Sequence, residues 1–180
     1  MIEKGLIQIY TGTGKGKTSA ALGVALRATG HGNSVLLYQF LKSPTLQTGE
    51  RTALKDANLN ITVKALDTEW DMRKSLKDPQ VLKKTRTEIL HVLEEISKAA
   101  AEGNYDVIIL DEILFCYSNR LVNYEHLKQL AEQKSENVEL IFTGRGADKK
   151  LIDLADQVSE IKNIKHPFKD GVKARKGIDF

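Results

Sequence analysis

Hydrophobic residues along this chain gather in short runs separated by longer mixed segments. A strand that is covered on both faces produces a continuous apolar run, as in parallel sheets flanked by helices. Six runs have the length and composition of strands, and several are apolar on both faces: LIQIY, VLLYQF, ITVKAL, DVIILD, ELIFTG and QVSEI. The pattern therefore predicts a largely buried, mostly parallel sheet.

The segments between these runs have helical spacing and are rich in Glu, Lys and Ala. The predicted helices cover residues 18–28, 79–102, 124–132 and 148–154. Alternation of strands and helices predicts right-handed crossovers and an open α/β sheet with helices on both faces.

Two regions fit neither pattern, residues 42–50 and 66–75. Long loops that leave the strand ends of such sheets commonly carry the ligand site. We therefore expect these two loops to border a functional site.

Bulk composition narrows the class of protein. A chain of 180 residues with 41% hydrophobic residues suffices for one domain, and 27 basic against 24 acidic residues leave a charge of +3. This charge is too small to indicate a DNA-coating protein. Cys116 is the only cysteine, which excludes an internal disulfide and a cysteine-based zinc cluster. The first residues, MIEKGLIQIY, lack a long apolar run, so we expect a cytoplasmic protein without a membrane segment.

A glycine-rich segment joins the first predicted strand to the first predicted helix. It contains, in order, Gly12, Gly14, Lys15, Gly16, Lys17 and Thr18. The usual phosphate-binding loop has four residues between its outer glycines, and this loop is one residue shorter. Backbone N–H groups, a helix N-terminus and a lysine together favour oxyanions, and a threonine hydroxyl can bind Mg²⁺. We predict phosphate binding; a turn that only joined strand to helix would not need this combination.

Two acidic residues end the apolar run YDVIILDE. Asp111 and Glu112 would lie at the sheet edge where the glycine loop holds phosphate. We predict that they take part, with Thr18, in binding Mg²⁺ or Mn²⁺; the alternative is an acidic helix N-terminus without metal. No water-positioning residue or arginine finger is evident, so these motifs predict nucleotide binding without indicating which bond breaks.

Three further side chains are candidates for ligand contact. Arg27 lies on the first predicted helix and either pairs with a carboxylate or reaches phosphate. Arg145, in TGRG after the fifth run, either contacts nucleotide or a partner or remains solvated on its loop. Trp70 either stacks on a flat ligand or is partly buried in its loop.

The last segment, residues 162–180, is basic. It contains two acidic residues, Asp170 and Asp179, and six basic ones: Lys162, Lys165, Lys169, Lys173, Arg175 and Lys176. Such a run is either a solvated tail or a nucleic-acid arm. Residues suited to packing interrupt it, among them Phe168, Ile178 and Phe180. We therefore expect the tail to pack back on the domain and line an anionic site, and we do not expect nucleic-acid binding.

Five stretches together resemble, in order and spacing, the P-loop family of ATP:corrinoid adenosyltransferases. They are YTGTGKGKTSAALGVALRATGHG, VLLYQFLK, VIILDE, FTGRGADKKLIDLADQVSEIKNIKHPF and GVKARKGIDF. The likeness covers nearly the whole chain, and the shortened glycine loop is that family's own version. It implies a single P-loop NTPase-like (RecA-like) α/β domain over residues 1–180.

The resemblance also implies a reaction and its site. In this family the cobalt(I) of a reduced corrinoid attacks the 5′-carbon of ATP and expels triphosphate, in cobalamin biosynthesis or salvage. Lys17, Thr18 and Glu112 are then the catalytic residues, and Thr18, Glu112 and Asp111 are the metal ligands. Substrate contacts are expected from Gly12, Thr13, Gly14, Lys15, Gly16, Lys17, Thr18, Ser19, Arg27, Arg145 and Trp70.

Two regions depart from the family pattern. Members commonly have Asn or Asp where Thr13 stands, and many have Gly-Phe-Thr-Trp after the third strand, where this chain has ALDTEWDMRK. Aromatic residues there help to remove the lower ligand of the corrinoid, so Trp70 is the expected counterpart.

The resemblance further implies a homodimer and a flavoprotein electron donor.

Three rival functions make different predictions. An ATPase or small-molecule kinase would form ADP, and an ATP-gated nucleic-acid binder would bind oligonucleotides with steep salt dependence. A corrinoid chaperone would bind both ligands without turnover.

Overall fold

The structure is a computed structural model that describes residues 2–71, 74–167 and 171–178. Within these residues, the chain forms a sheet of six parallel strands in the order β3-β2-β4-β5-β1-β6. The strands are β1 (Ile7–Thr11), β2 (Val35–Gln39), β3 (Ile61–Ala65), β4 (Val107–Asp111), β5 (Glu139–Thr143) and β6 (Gln157–Glu160). All six strand predictions are confirmed.

The central strands are buried along their full length, as their apolar runs predict. Every residue of β2, β4 and β5 is buried, whereas the edge strands β3 and β6 are at most partly covered. The register aligns Gln39 at the end of β2 with Asp111 at the end of β4. Polar side chains that end neighbouring strands are thereby brought to one edge of the sheet.

The helices are α1 (Lys17–Gly30), α2 (Gly49–Asp56), α3 (Pro79–Ala101), α4 (Ile113–Ser118), α5 (Tyr124–Gln133) and α6 (Lys149–Leu154), with a 3₁₀ turn at Ser75–Lys77. The four predicted helices are confirmed within two residues at each end. Helix α3 begins where expected because Pro79 occupies its first turn and the Asp78 carboxylate accepts from Gln80 N and Val81 N.

Helices α2 and α4 are absent from the predicted pattern. Helix α2 buries none of its eight residues, and α4, with the sequence ILFCYS, is hydrophobic at five of six positions; neither therefore shows an apolar stripe next to a polar one. Their existence depends on tertiary contacts rather than on local pattern.

Helices cover both faces of the sheet. On one face, Ala21 and Ala25 of α1 pack against Val35, Leu37 and Ile109, and Leu54 of α2 lies at the border of this cluster. On the other face, side chains of α3, α4, α5 and α6 pack against the alternate strand residues, among them Leu36, Ile108 and Leu140. The predicted α/β architecture is therefore confirmed.

Among the described residues, none of the helices combines the length and the apolarity needed to cross a membrane.

Candidate active site

The glycine-rich segment forms a loop between β1 and α1. Gly16 precedes the helix with φ 107°, a left-handed conformation that favours glycine, and nothing lies within 4 Å of the position that a Cβ would occupy. The loop is therefore open to the solvent at Gly16, at the N-terminus of a 14-residue helix.

Gly12 and Gly14 are required for a different reason. A Cβ on Gly12 would collide with the backbone of Ile161, and one on Gly14 would lie 2.8 Å from Lys162 O. The Gly14 N–H donates to Ile161 O at 2.7 Å. We expected this N–H to face an oxyanion; in the structure it is bonded to the segment after β6.

The Lys17 side chain is folded back onto the loop. It is 6% exposed, and its Nζ donates to Gly14 O at 2.7 Å. Burial lowers the pKa of Lys17, and the neighbouring Glu112 carboxylate partly offsets this effect. The Lys17 ammonium group is thus held against the glycine-rich loop that is predicted to bind phosphate.

Asp111 accepts hydrogen bonds from three side chains of the site. Its fully buried carboxylate accepts from Thr18 Oγ1 at 2.8 Å, from Thr143 Oγ1 at 2.7 Å and from Lys42 Nζ at 2.8 Å. Both carboxylate oxygens are therefore engaged by protein groups. Asp111 orients the Thr18 hydroxyl, and direct metal binding by Asp111 would require Lys42 to move.

Glu112 lies beside Asp111 in a different environment. Its backbone has φ 66°, uncommon for a non-glycine residue, and its N–H donates to Thr143 Oγ1 at 3.0 Å. Burial and the Asp111 charge raise the pKa of Glu112, against the effect of nearby Lys17, Lys42 and Arg145. Glu112 lines the same cavity as the glycine loop.

These elements surround a cavity of about 470 Å³, within the range of roughly 300–1,000 Å³ typical of small-molecule sites. Its lining comprises Gly14, Lys15, Gly16, Lys17, Thr18, Ser19 and Leu22 of the loop and α1, Lys42, Leu46, Thr48, Gly49 and Glu50 after β2, and Glu112, Arg145, Gly177 and Ile178. Most of the predicted nucleotide-binding residues are thus brought together.

The basic tail reaches this cavity as well. Gly177 and Ile178 line it, and nearer the sheet Asn163 N donates to Thr13 Oγ1 at 3.4 Å. Residues 168–170 and 179–180 of the tail, which include Phe168 and Phe180, lie outside the described residues.

Two predicted residues lie away from the cavity. Arg27 is exposed in the last turn of α1, about 15 Å from Lys17 at 1.5 Å of rise per residue. Trp70 is partly buried and packs against the core on the α3 face of the sheet. The structure does not place either of them beside the glycine loop.

Sequence reasoning did not single out Lys42 and Thr143, although both bond directly to Asp111. Thr143 ends β5 and Lys42 follows β2 by three positions. A polar residue at the carboxyl end of an otherwise apolar strand was the available signal.

Comparison with known proteins identifies the family. The sequence profile of the ATP:corrinoid adenosyltransferase BtuR/CobO/CobP family matches residues 3–180. This chain belongs to that family. It is 35% identical to the corrinoid adenosyltransferase of Escherichia coli (strain K12), and the alignment covers 99% of this chain and 87% of the relative.

Other members are similarly related. Identity to corrinoid adenosyltransferase CobA of Salmonella typhimurium (strain LT2) is 34%, over 99% of this chain and 87% of that protein. Identity to the corrinoid adenosyltransferase of a Sinorhizobium species is 32%, over 99% and 81%. The family resemblance inferred from the five stretches is thus confirmed.

Proposed function

We propose that this protein transfers the 5′-deoxyadenosyl group of ATP to the cobalt of a reduced corrinoid, with release of triphosphate. The observation that supports this most directly is the family match over residues 3–180. The geometry agrees, because the glycine loop, Lys17 and Glu112 line one cavity of nucleotide size.

The reaction balances without a protein nucleophile. The substrate cobalt(I) supplies both electrons of the new cobalt–carbon bond, the C5′–O5′ bond breaks, and triphosphate leaves with that electron pair. The protein's task is to hold the nucleotide and to neutralise charge on the leaving group. Lys17 would exchange its bond to Gly14 O for one to a phosphate oxygen.

The residues present also suit a magnesium ion. Thr18 offers a hydroxyl oxygen and Glu112 a carboxylate on the same cavity, and Mg²⁺ usually takes one or two carboxylates together with substrate phosphates. When bound, such an ion would neutralise triphosphate charge. Asp111 would act by orienting Thr18. Mn²⁺ fits the same oxygen donors.

Further parts of the proposal rest on the family resemblance. They are a single domain over the whole chain, a homodimer, a flavoprotein electron donor, and roles for Arg27 in the nucleotide site and for Trp70 beside the corrinoid. A cytoplasmic location is also proposed, on the composition of the chain and not on the resemblance. The lining positions of Gly177 and Ile178 support a tail that packs back over the phosphate site.

An anaerobic assay tests the proposed reaction. Purified protein, ATP, Mg²⁺ and chemically reduced cob(I)alamin should yield adenosylcobalamin, followed by its spectrum, and one inorganic triphosphate per turnover. Lys17→Ala should lower the rate by about 10²–10³, the usual effect of removing one group that stabilises developing negative charge. ADP and phosphate without a cobalt–carbon product would instead indicate an ordinary ATPase.

A further inference from the structure

Arg51, the third residue of α2, makes an unusual set of hydrogen bonds. Its guanidinium donates to four backbone carbonyls of one loop: Lys42 O at 3.0 Å, Ser43 O at 2.6 Å, Pro44 O at 3.3 Å and Leu46 O at 3.1 Å. Its Nε donates to Gln39 Oε1 at 2.6 Å. Gln39 is fully buried at the end of β2. Arg51 therefore ties an irregular loop to the central sheet.

The loop concerned, residues 42–48, is one wall of the nucleotide cavity. Lys42, Leu46 and Thr48 line that cavity, while residues 44–47 are exposed and lie outside any helix or strand. A loop of this kind has few apolar contacts to hold it, so its position depends on hydrogen bonds from neighbouring groups.

The loop is also connected to the phosphate-binding segment. Lys42 Nζ lies 2.8 Å from Asp111 Oδ2 and 3.6 Å from Glu50 Oε1. Asp111 in turn accepts from the Thr18 hydroxyl. Arg51 thus contacts the Lys42 backbone, and the Lys42 side chain contacts Asp111. Asp111 completes the connection to Thr18, which is proposed to bind the metal ion.

We propose that Arg51 is a positioning residue for the nucleotide: it fixes the loop of residues 42–48 against the sheet so that Lys42 and Thr48 face ATP. The role requires a guanidinium, because its three nitrogens donate in one plane, Nε to Gln39 and both Nη atoms to the loop carbonyls, which the single ammonium group of a lysine cannot do. Arg51 acts through the loop and is not itself among the residues lining the cavity. The proposal rests on the proposed function only in taking ATP as the ligand.

Arg51→Lys tests the geometry while keeping the charge. The ATP dissociation constant, measured by calorimetry with Mg²⁺ and without corrinoid, should rise by about tenfold or more, as expected when several hydrogen bonds are lost. The KM for ATP should rise in parallel, while the KM for cob(I)alamin and the kcat at saturating ATP stay close to wild type. Trypsin should cleave after Lys42 faster than in wild type, and ATP should suppress this cleavage.

Lys55→Ala is the matched control, because Lys55 is an exposed cation on the same helix and should leave ATP binding unchanged. Thermal melting reports whether each variant is folded, and Arg51→Lys is chosen over Arg51→Ala so that a charge remains. ATP affinity within twofold of wild type, or an equal rise in both KM values, would overturn the proposal. Wild-type protein that binds no ATP would overturn the proposed function instead.

Discussion

Asp111 and Glu112 are adjacent in sequence but differ in what they can do. The Asp111 carboxylate is fully buried and accepts from Thr18, Thr143 and Lys42, whereas Glu112 lines the cavity. The difference arises because β4 ends at Asp111 and the left-handed backbone at Glu112 redirects the chain. This difference supports the proposal that Glu112 would bind the metal ion directly and that Asp111 would orient Thr18.

Glu112→Gln tests this assignment, because it keeps the shape of the side chain and removes its charge. The Mg²⁺ concentration for half-maximal activity should rise by about tenfold or more, the scale seen when the ligand environment of a metal is weakened. Glu136→Gln, at an exposed glutamate, serves as the control. An unchanged magnesium titration would mean that Asp111 or water holds the ion.

The two loops that fit no periodic pattern are both held by side chains from helices. Arg51 of α2 holds the loop after β2. Glu88 of α3 holds the loop after β3: its carboxylate accepts from the backbone N–H groups of Asp67 and Thr68 and from the Thr68 hydroxyl. Further along, Asp71 N donates to Ser75 Oγ at 2.9 Å. Trp70 lies between these two anchors.

Removal of the Glu88 anchor should therefore change the environment of Trp70. This residue is the only tryptophan of the chain, so fluorescence excited selectively at tryptophan, and not at the five tyrosines, reports on the surroundings of Trp70. Glu88→Ala should shift the emission to longer wavelength, increase quenching by acrylamide, and cost about 1–3 kcal/mol of stability, the usual effect of unpairing donors of a charged hydrogen bond. Glu94→Ala, at an exposed position of α3, is the control. Spectra and quenching identical to wild type would contradict the anchoring role.

At the scale of the whole molecule, the glycine-rich loop is held by a segment that is distant in sequence. Gly14 N donates to Ile161 O, and Asn163 N donates to Thr13 Oγ1 across 150 positions. Strand β6 pairs in parallel with β1, so the chain leaving β6 crosses the loop that leaves β1. Gly12 has no room for a side chain because of this crossing, whereas Gly16 faces open space.

This difference predicts unequal effects of two alanine substitutions. Both glycines have positive φ, so Gly16→Ala should cost about 1–2 kcal/mol from backbone strain. Gly12→Ala should cost about 1–3 kcal/mol more, because its Cβ would collide with the Ile161 backbone and force a shift. Chemical denaturation of the two variants measures the difference. Equal losses of stability would show that the crossing adapts without cost.

The sequence by itself determined the six strands, four of the six helices, the glycine loop and the pair of carboxylates. These features are local: burial on both faces of a strand, or on one stripe of a helix, leaves a periodic record in neighbouring residues. The family signal likewise depends on residues read in order along the chain.

Only the tertiary structure decided how these parts meet. The bond between Thr18 and Asp111 joins residues 93 positions apart, and that between Lys42 and Asp111 joins residues 69 apart. Such pairs leave no periodic trace, because parallel strands bring distant carboxyl ends to one edge. For the same reason the structure, and not the sequence, separated Asp111 from Glu112, placed Arg27 away from the loop, and gave Arg51 its position behind the cavity wall.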